Sequence, residues 1–408
     1  MKILMLGWEL PPHNSGGLGI ACYQLCKALA KKDLTIDFVL PYRAEHGIDF
    51  MSISAAHPQG VAEVLRSGIA YDSYKYVLED GSEEWHDIYA QQQLYEHAVA
   101  RIVEEKEFDI VHAHDWLTFR AALRVREQRN CPIILHVHSV ESDRAGSRHG
   151  NPLVHEIEEL GFRLADRIIA VSQHTKSMII RDYGVPADKI EVVHNSITPE
   201  DLAPLDNDNA YRYLEAMRAQ GYRVVTNVGR LTIQKGLPNL LRAAAEVIKR
   251  APKTLFLIVG SGEQYYELID LAADLGIGPN VLFTDFQRGK RLRDAFAVGD
   301  LFVMPSVSEP FGLTPLEAIG YGTPALVSKQ SGVSEVLRNC LKVDFWDINE
   351  MANQITAVVQ NDALRNELHK NALVEFEQLS WDDASNTIEQ LYQYHHEQHN
   401  RHLVGANS

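Results

Sequence analysis

The sequence predicts an α/β protein of two doubly wound halves, each a parallel sheet covered by helices on both faces. Three observations carry this expectation. Short apolar runs alternate with longer stretches of helical periodicity, the pattern of strands buried on both sides. The alternation breaks once, over residues 196–221, and then restarts. At 408 residues the chain also exceeds one ordinary core, given roughly 100–200 residues per domain.

In the first half the predicted strands are KILMLG (2–7), IDFVL (36–40), DIVHAH (109–114), PIILHVH (132–138), RIIAVS (167–172) and IEVVH (190–194). Between the first two lies LGIACYQLCKALAKK, with apolar positions at 18, 21, 25 and 28/29, one face of a helix. The break, SITPEDLAPLDNDNAYRYLEAMRAQG, carries Pro, Asp and Asn with little strand character and reads as a polar linker. After it come YRVVTNVG (222–229), TLFLIVG (254–260), NVLFTDF (280–286), DLFVMPS (300–306), PALVSK (324–329) and LKVDF (341–345). The last stretch, from WDDASNTIEQ onward, reads as a terminal helix. The expected organisation is a first domain over 1–200, a second over 201–380, and a helix and tail over 381–408. Ligands of such sheets sit beyond the carboxyl ends of the strands, which predicts a site in a cleft between the halves.

Composition narrows the function. Hydrophobic content of 45% and charged content of 23% are those of an ordinary globular protein. A formal net charge of −16 argues against a sequence-independent nucleic-acid binder, whose affinity comes from clustered Lys and Arg. No segment approaches ~18 consecutive apolar residues, so no transmembrane helix is expected. The start, MKILMLGWELPP, reads as a first strand rather than a signal peptide. Cys22, Cys26, Cys131 and Cys340 form no CxxC pair and no metal-ligand spacing. They read as small buried apolar residues of a reducing compartment, and the protein is expected to be cytoplasmic.

Several stretches carry chemistry. NSGGLG (14–19) lies between the first strand and the first helix, where glycines admit a ligand to the backbone and the helix start offers N–H groups to an anion. Read without a ligand, it is a tight turn. VHAHDW (111–116) and LHVHS (135–139) each end a predicted strand with an HxH pair on one side of the sheet. Two such pairs have the donor types of a metal site. Strand-end histidines held by backbone partners are commoner, and no metal is expected. NVGRLTIQKG (227–236) sets Arg230 and Lys235 after the first strand of the second half, two cations that suit a diphosphate. In SEPFGLTPLEAIGYGTP (308–324), Thr314-Pro315-Leu316-Glu317 has the spacing of a capping box, with Thr314 at the N-cap. Glu309 has no such structural role, and both carboxylates read as acceptors for neutral hydroxyls.

With Gly16-Gly17, His138, Arg230, Lys235 and the Glu309/Glu317 pair in this order, the chain resembles the retaining glycosyltransferases of family four over nearly its whole length. EPFGLTPLEA is the most specific part. The resemblance implies the GT-B fold: two Rossmann-like domains facing a central cleft, and a terminal helix crossing back to the first. It implies a nucleotide-sugar donor such as ADP- or UDP-glucose and no further cofactor or metal. Gly16 and Gly17 would lie against the donor phosphate, and His138 would contact the transferred sugar. Arg230 and Lys235 would hold the diphosphate, and Glu309 would meet the sugar hydroxyls. Gly312, Leu313 and Thr314 would offer backbone amides, and Glu317 would take the ribose.

Within the family, GGLG together with HAHDW is similar to bacterial glycogen and starch synthases. This implies an α-glucan acceptor, with Asp115, Arg144 and Arg148 on the acceptor side. Those synthases usually carry a lysine where this chain has Asn14. The alternative acceptor is a cell-envelope polysaccharide or lipid-linked sugar, with Arg120, Arg124, Arg126 and Arg129 against an anionic surface.

Overall fold

The structure, a computed structural model, describes residues 1–13, 16–57, 61–67, 73–146 and 150–406, and only the backbone of 61–67, 73–75, 86 and 403–406. Asn14 and Arg148 lie outside the described residues. The chain divides into two compact units, Met1–Asn195 with Trp381–Ser408, and Ser196–Ser380. Among the described residues no helix is long and apolar enough to cross a membrane.

In the first unit, β1 (Lys2–Leu6), β2 (Thr35–Leu40), β3 (Ser52–Ala55), β7 (Ile110–His114), β8 (Ile133–Val137), β9 (Arg167–Ala170) and β10 (Ile190–Val192) form one parallel sheet. Its order is β10-β9-β8-β7-β1-β2-β3. The chain therefore builds outward from β1 in one direction, then returns and builds outward the other way. β1 and β7 flank the point where the direction reverses, and their carboxyl ends part to leave a crevice there. β7 and β8 are buried at every position, as their unbroken apolar runs require.

Between β3 and β7 the unit carries elements that the sequence reading left blank. β4 (Val61–Ser67), β5 (Ser73–Leu78) and β6 (Glu83–Asp87) make a small antiparallel sheet. Their sequences mix charged and aromatic residues, so they lack the apolar runs that mark the main sheet. The helix Trp381–Ala406 belongs to this unit and packs on the first helix, Gly17–Leu29. Trp381, Ala384, Ile388 and Tyr392 are buried in the same core as β1, β7 and β8.

The second unit holds β11 (Arg223–Val228), β12 (Thr254–Val259), β13 (Val281–Thr284), β14 (Leu301–Met304), β15 (Ala325–Ser328) and β16 (Leu341–Val343). The order is β13-β12-β11-β14-β15-β16, all parallel. Here the reversal falls between β11 and β14. Residues 196–221 are not a bare linker: they open this unit with the helix Arg212–Ala219, whose Leu214 is buried. Arg293, in the helix Gly289–Ala297, is buried and pairs with Asp206 and Asp294.

Because Ile388 is fully buried in the first unit's core, Ile388→Ala should lower that unit's stability by about 2–5 kcal/mol through lost burial and a cavity. Urea unfolding followed by near-UV circular dichroism reads this directly. A change below about 1 kcal/mol would mean that the last helix is not part of the core.

Candidate functional site

The sequence-predicted residues collect at the two reversal points, and each half is built separately. In the second unit, β11 runs into a loop carrying Arg230, a short helical turn Ile233–Lys235 and Gly236. Gly236 has φ of +66°, and a Cβ there would lie 2.2 Å from the carbonyl oxygen of Pro305. Only glycine permits this approach, which draws the β11 loop onto the segment after β14. Val307 N–H donates to the Gln234 carbonyl at 2.8 Å across the same gap.

The carboxylate of Glu309 is thereby brought to Lys235, with Nζ to Oε2 at 2.5 Å, and Ser306 Oγ donates to the same oxygen at 3.0 Å. Glu309 is 7% exposed. Its backbone is fixed on both sides: its N–H donates to the Gln330 carbonyl, and its carbonyl accepts from Gly332 N–H. Gly312, at φ of +96°, passes within contact of Met304 and the Glu309 stem, where a Cβ would meet atoms at 3.0–3.1 Å.

The expected capping box does not form. The helix Thr314–Gly320 takes Leu313 as N-cap, and no side chain caps it. Thr314 is already the first helical residue, so Glu317 falls one position too late to reach back. Two things follow from this correction. Among the described residues the N–H groups of Gly312, Leu313 and Thr314 have no hydrogen-bond partner. The half-buried Glu317 carboxylate also has none, and its pKa is raised to about 7 by burial. Arg230 is exposed, with Gln234 Oε1 at 3.5 Å from its guanidinium.

In the first unit, Gly16 and Gly17 are exposed at the start of the first helix. Gly16 N–H donates to the buried Glu9 carboxylate at 3.1 Å, and a Cβ on Gly17 would meet nothing within 4 Å. At the ends of β7 and β8 the two HxH pairs form a two-by-two array. His112 Nε2 bonds His136 Nδ1 at 3.2 Å, and His114 Nδ1 bonds His138 Nε2 at 3.0 Å. The two bonded pairs stack through His112–His114 and His136–His138, at 4.6 and 4.4 Å between ring centres. Tyr392 from the last helix hydrogen-bonds His112 Nδ1.

Burial pushes all four imidazoles well below the ordinary histidine range, His112 and His138 to about 3, so they are neutral near pH 7. Two groups, Cys22–His114–His138 and His112–His114–His136, have donor atoms within 4.8 Å of one another. A cation there would have to displace the hydrogen bonds that now join the rings. Among the described residues His136 Nε2 has no partner. At the outer end, His138 Nδ1 has no hydrogen-bond partner among the described residues.

Asp115 and Arg144, expected on the acceptor side, are engaged within the protein. Asp115 adopts φ of +58°, unusual for a residue with a Cβ. Its Oδ1 accepts from His138 N–H at 2.7 Å and Ser139 N–H at 3.3 Å. It therefore sets the backbone that presents His138. Burial raises its pKa to about 7, against the opposing pull of Arg144 and these amides. The Arg144 guanidinium bonds Glu158 Oε1 at 2.5 Å, Glu141 Oε2 at 3.2 Å and the Ser139 carbonyl at 2.9 Å. Sequence spacing gave no sign of Glu141 and Glu158, which both lie C-terminal to β8.

Two family models match this chain, Glycosyltransferase Family 4 over residues 15–201 and Glycosyl transferases group 1 over residues 215–374. The chain belongs to glycosyltransferase family four. Among its relatives is an uncharacterized glycosyltransferase of Methanocaldococcus jannaschii, 27% identical over 96% of this chain and 98% of that one. A D-inositol 3-phosphate glycosyltransferase of Gordonia bronchialis is 28% identical over 93% and 84%. A glycogen synthase of Mycobacterium tuberculosis is 29% identical over 83% and 80%. In fold the chain is similar to sucrose-phosphate synthase from Thermosynechococcus elongatus, with a TM-score of 0.73 at 20% identity, covering 96% of this chain and 98% of that one. The fold is that of the GT-B glycosyltransferases.

The pKa of Asp115 lies above that of an unfolded aspartate, so the folded state holds its proton to higher pH. Its contribution to stability is present below about pH 4 and is lost as pH rises toward 7. Asp115→Asn keeps an acceptor for the two amides and tolerates the positive φ, so it should remove this downward slope without unfolding the loop. Asp115→Ala should cost about 1–3 kcal/mol by leaving the amides unpaired. Urea midpoints of the three proteins between pH 4 and 8 check both outcomes. A slope unchanged in Asp115→Asn would refute the assignment.

Proposed function

We propose that this glycosyltransferase moves glucose from a nucleoside diphosphate glucose to a hydroxyl of its acceptor with retention of configuration. The observation that carries the donor reading is the Lys235–Glu309 pair beside three unpartnered amides. A compact cation and backbone N–H groups at a strand's carboxyl end are what a diphosphate needs. Arg230 adds a second cation at the mouth of the same loop. In the free protein Glu309 occupies the cation's place for an anion. A bound diphosphate takes Lys235, and the freed Glu309 carboxylate accepts from the sugar hydroxyls. Glu317, half-buried and without a partner, accepts from the ribose.

In the first unit, Gly16 and Gly17 let a phosphate approach the backbone, and neutral His138 presents Nδ1 to the transferred sugar. Asp115 and Arg144 act on that sugar only through the loop that they hold. The C1–oxygen bond to the diphosphate breaks as the acceptor oxygen bonds C1 on the same face. The departing phosphate oxygen takes the acceptor's proton, while Lys235 and the amides stabilise its charge. No cofactor or metal enters this scheme, and turnover should persist in excess EDTA.

Likeness to glycogen synthase supports an α-glucan acceptor, and likeness to D-inositol 3-phosphate glycosyltransferase supports a phosphorylated polyol. The lipid-surface alternative has less support. Arg120, Arg124 and Arg126 pair with Glu96, Glu127 and Asp166, and Arg129 donates to the Lys106 carbonyl.

Lys235→Ala should weaken nucleoside diphosphate binding on the order of 10- to 100-fold, as for one lost charge-assisted hydrogen bond, and abolish most turnover. Glu309→Gln separates binding from chemistry. It removes the competing internal anion, so diphosphate should bind more tightly while turnover falls at least about 100-fold. Calorimetry with ADP and UDP, beside initial rates, reads both, and a Lys235→Ala enzyme with unchanged affinity would sink the donor assignment.

A screen of ADP-, UDP- and GDP-glucose against glycogen, maltooligosaccharides and D-inositol 3-phosphate, with linkage read by NMR, should give an α-linked product. A β-linked product would overturn retention.

A further inference from the structure

The histidine array at the ends of β7 and β8 has a direction, and Met5 gives it. Met5 lies on β1 in register with His112, and both Met5 and His114 are fully buried. The Met5 Sδ stands 3.0 Å from His114 Nε2. A thioether sulfur has no proton to donate and accepts only weakly. A bare nitrogen there would set lone pair against lone pair, sealed from water. The contact is therefore an N–H of His114 aimed at sulfur.

The rest follows from counting protons. Burial keeps His114 and His138 neutral near pH 7, and a neutral imidazole has one N–H. With that proton on Nε2, His114 Nδ1 is bare and can only accept. Its partner at 3.0 Å is His138 Nε2, which must then be the donor. His138 directs its one N–H inward, and its Nδ1 is left as a lone pair.

Among the described residues no other group competes for these protons. His112 bonds His136 and Tyr392, and that pair meets His114 and His138 only through ring faces. Phe38 stacks on His114 at 6.5 Å between ring centres. Cys22 Sγ lies within 4.8 Å of a ring nitrogen of each, yet it makes no hydrogen bond among the described residues.

We propose that Met5 is a positioning residue: acting through His114, it fixes His138 in the tautomer whose Nδ1 is bare, so that His138 accepts a hydrogen bond from a hydroxyl of the transferred sugar. This deepens the proposed function and rests on it for the sugar contact, while the tautomer is a property of the free protein. It also limits the donor. The group facing His138 must bring its own proton, as a hydroxyl does and an ionised carboxylate does not.

The test is proton–nitrogen correlation NMR of the ligand-free full chain carrying isotope-labelled histidine, with signals assigned by His114→Gln and His138→Gln. A bare ring nitrogen resonates far from a protonated one, so the two tautomers are read separately. His114 and His138 should each show a bare Nδ1 and a protonated Nε2. Met5→Leu keeps the volume and removes the sulfur acceptor, so its His138 Nδ1 signal should move toward the protonated position. The wild-type spectrum decides the tautomer even if Met5→Leu fails to fold.

Affinities for singly deoxyfluorinated analogues of UDP- or ADP-glucose, whichever binds more tightly, read the consequence. Fluorine cannot donate, so the analogue altered at the position facing His138 should lose about three- to ten-fold in wild type, as for one neutral hydrogen bond. That loss should shrink in Met5→Leu. A protonated Nδ1 on His138 in wild type would overturn the inference, as would a tautomer unmoved in Met5→Leu. Fluorine losses identical in the two proteins would overturn the sugar role, with the tautomer then resting on the spectrum alone.

Discussion

One partly buried ion pair, Lys235 with Glu309, organises the group of residues at the reversal point of the second unit. Taking a carboxylate and an ammonium out of water is unfavourable unless each compensates the other and further hydrogen bonds complete the shell. Ser306 supplies one such bond, and the backbone of 330–332 fixes the segment that carries Glu309. Such a pair contributes little net stability compared with apolar packing. Under the proposed donor reading its importance is positional: a cation is kept where an anionic ligand can replace an internal carboxylate with one of its own oxygens.

The fold makes that position available. In both parallel sheets the strand order reverses once, between β1 and β7 in the first unit and between β11 and β14 in the second. Loops leaving strands on either side of a reversal diverge and leave a crevice. Arg230 and Lys235 follow β11, and Glu309 through Glu317 follow β14. Gly16 follows β1, Asp115 follows β7 and His138 follows β8. Residues scattered over three hundred positions are thus gathered by topology into two compact groups, one in each unit.

Much of this was legible in the sequence because parallel strands buried on both faces are continuous apolar runs. Each predicted main-sheet strand has a counterpart within one or two residues, while β3 and the antiparallel ribbon went unread. β3, Ser-Ile-Ser-Ala, is a short strand at the sheet's edge with no apolar run, and the ribbon's strands carry charged residues where the main sheet's strands are apolar. The capping box at Thr314 failed because the helix starts one residue earlier than the motif demands, a register that local spacing cannot decide. Asp115 and Arg144 were read as facing a substrate because their partners, the amides of 138–139 and Glu141 with Glu158, come together only through the fold.

The central claim is that Lys235 exchanges an internal carboxylate for a phosphate of the donor. The most direct measurement is a crystal structure of the chain with UDP-glucose bound. A diphosphate oxygen should then lie within hydrogen-bond distance of Lys235 Nζ, with the Glu309 carboxylate moved onto the sugar hydroxyls. A donor bound elsewhere, with the Lys235–Glu309 pair intact, would contradict the account.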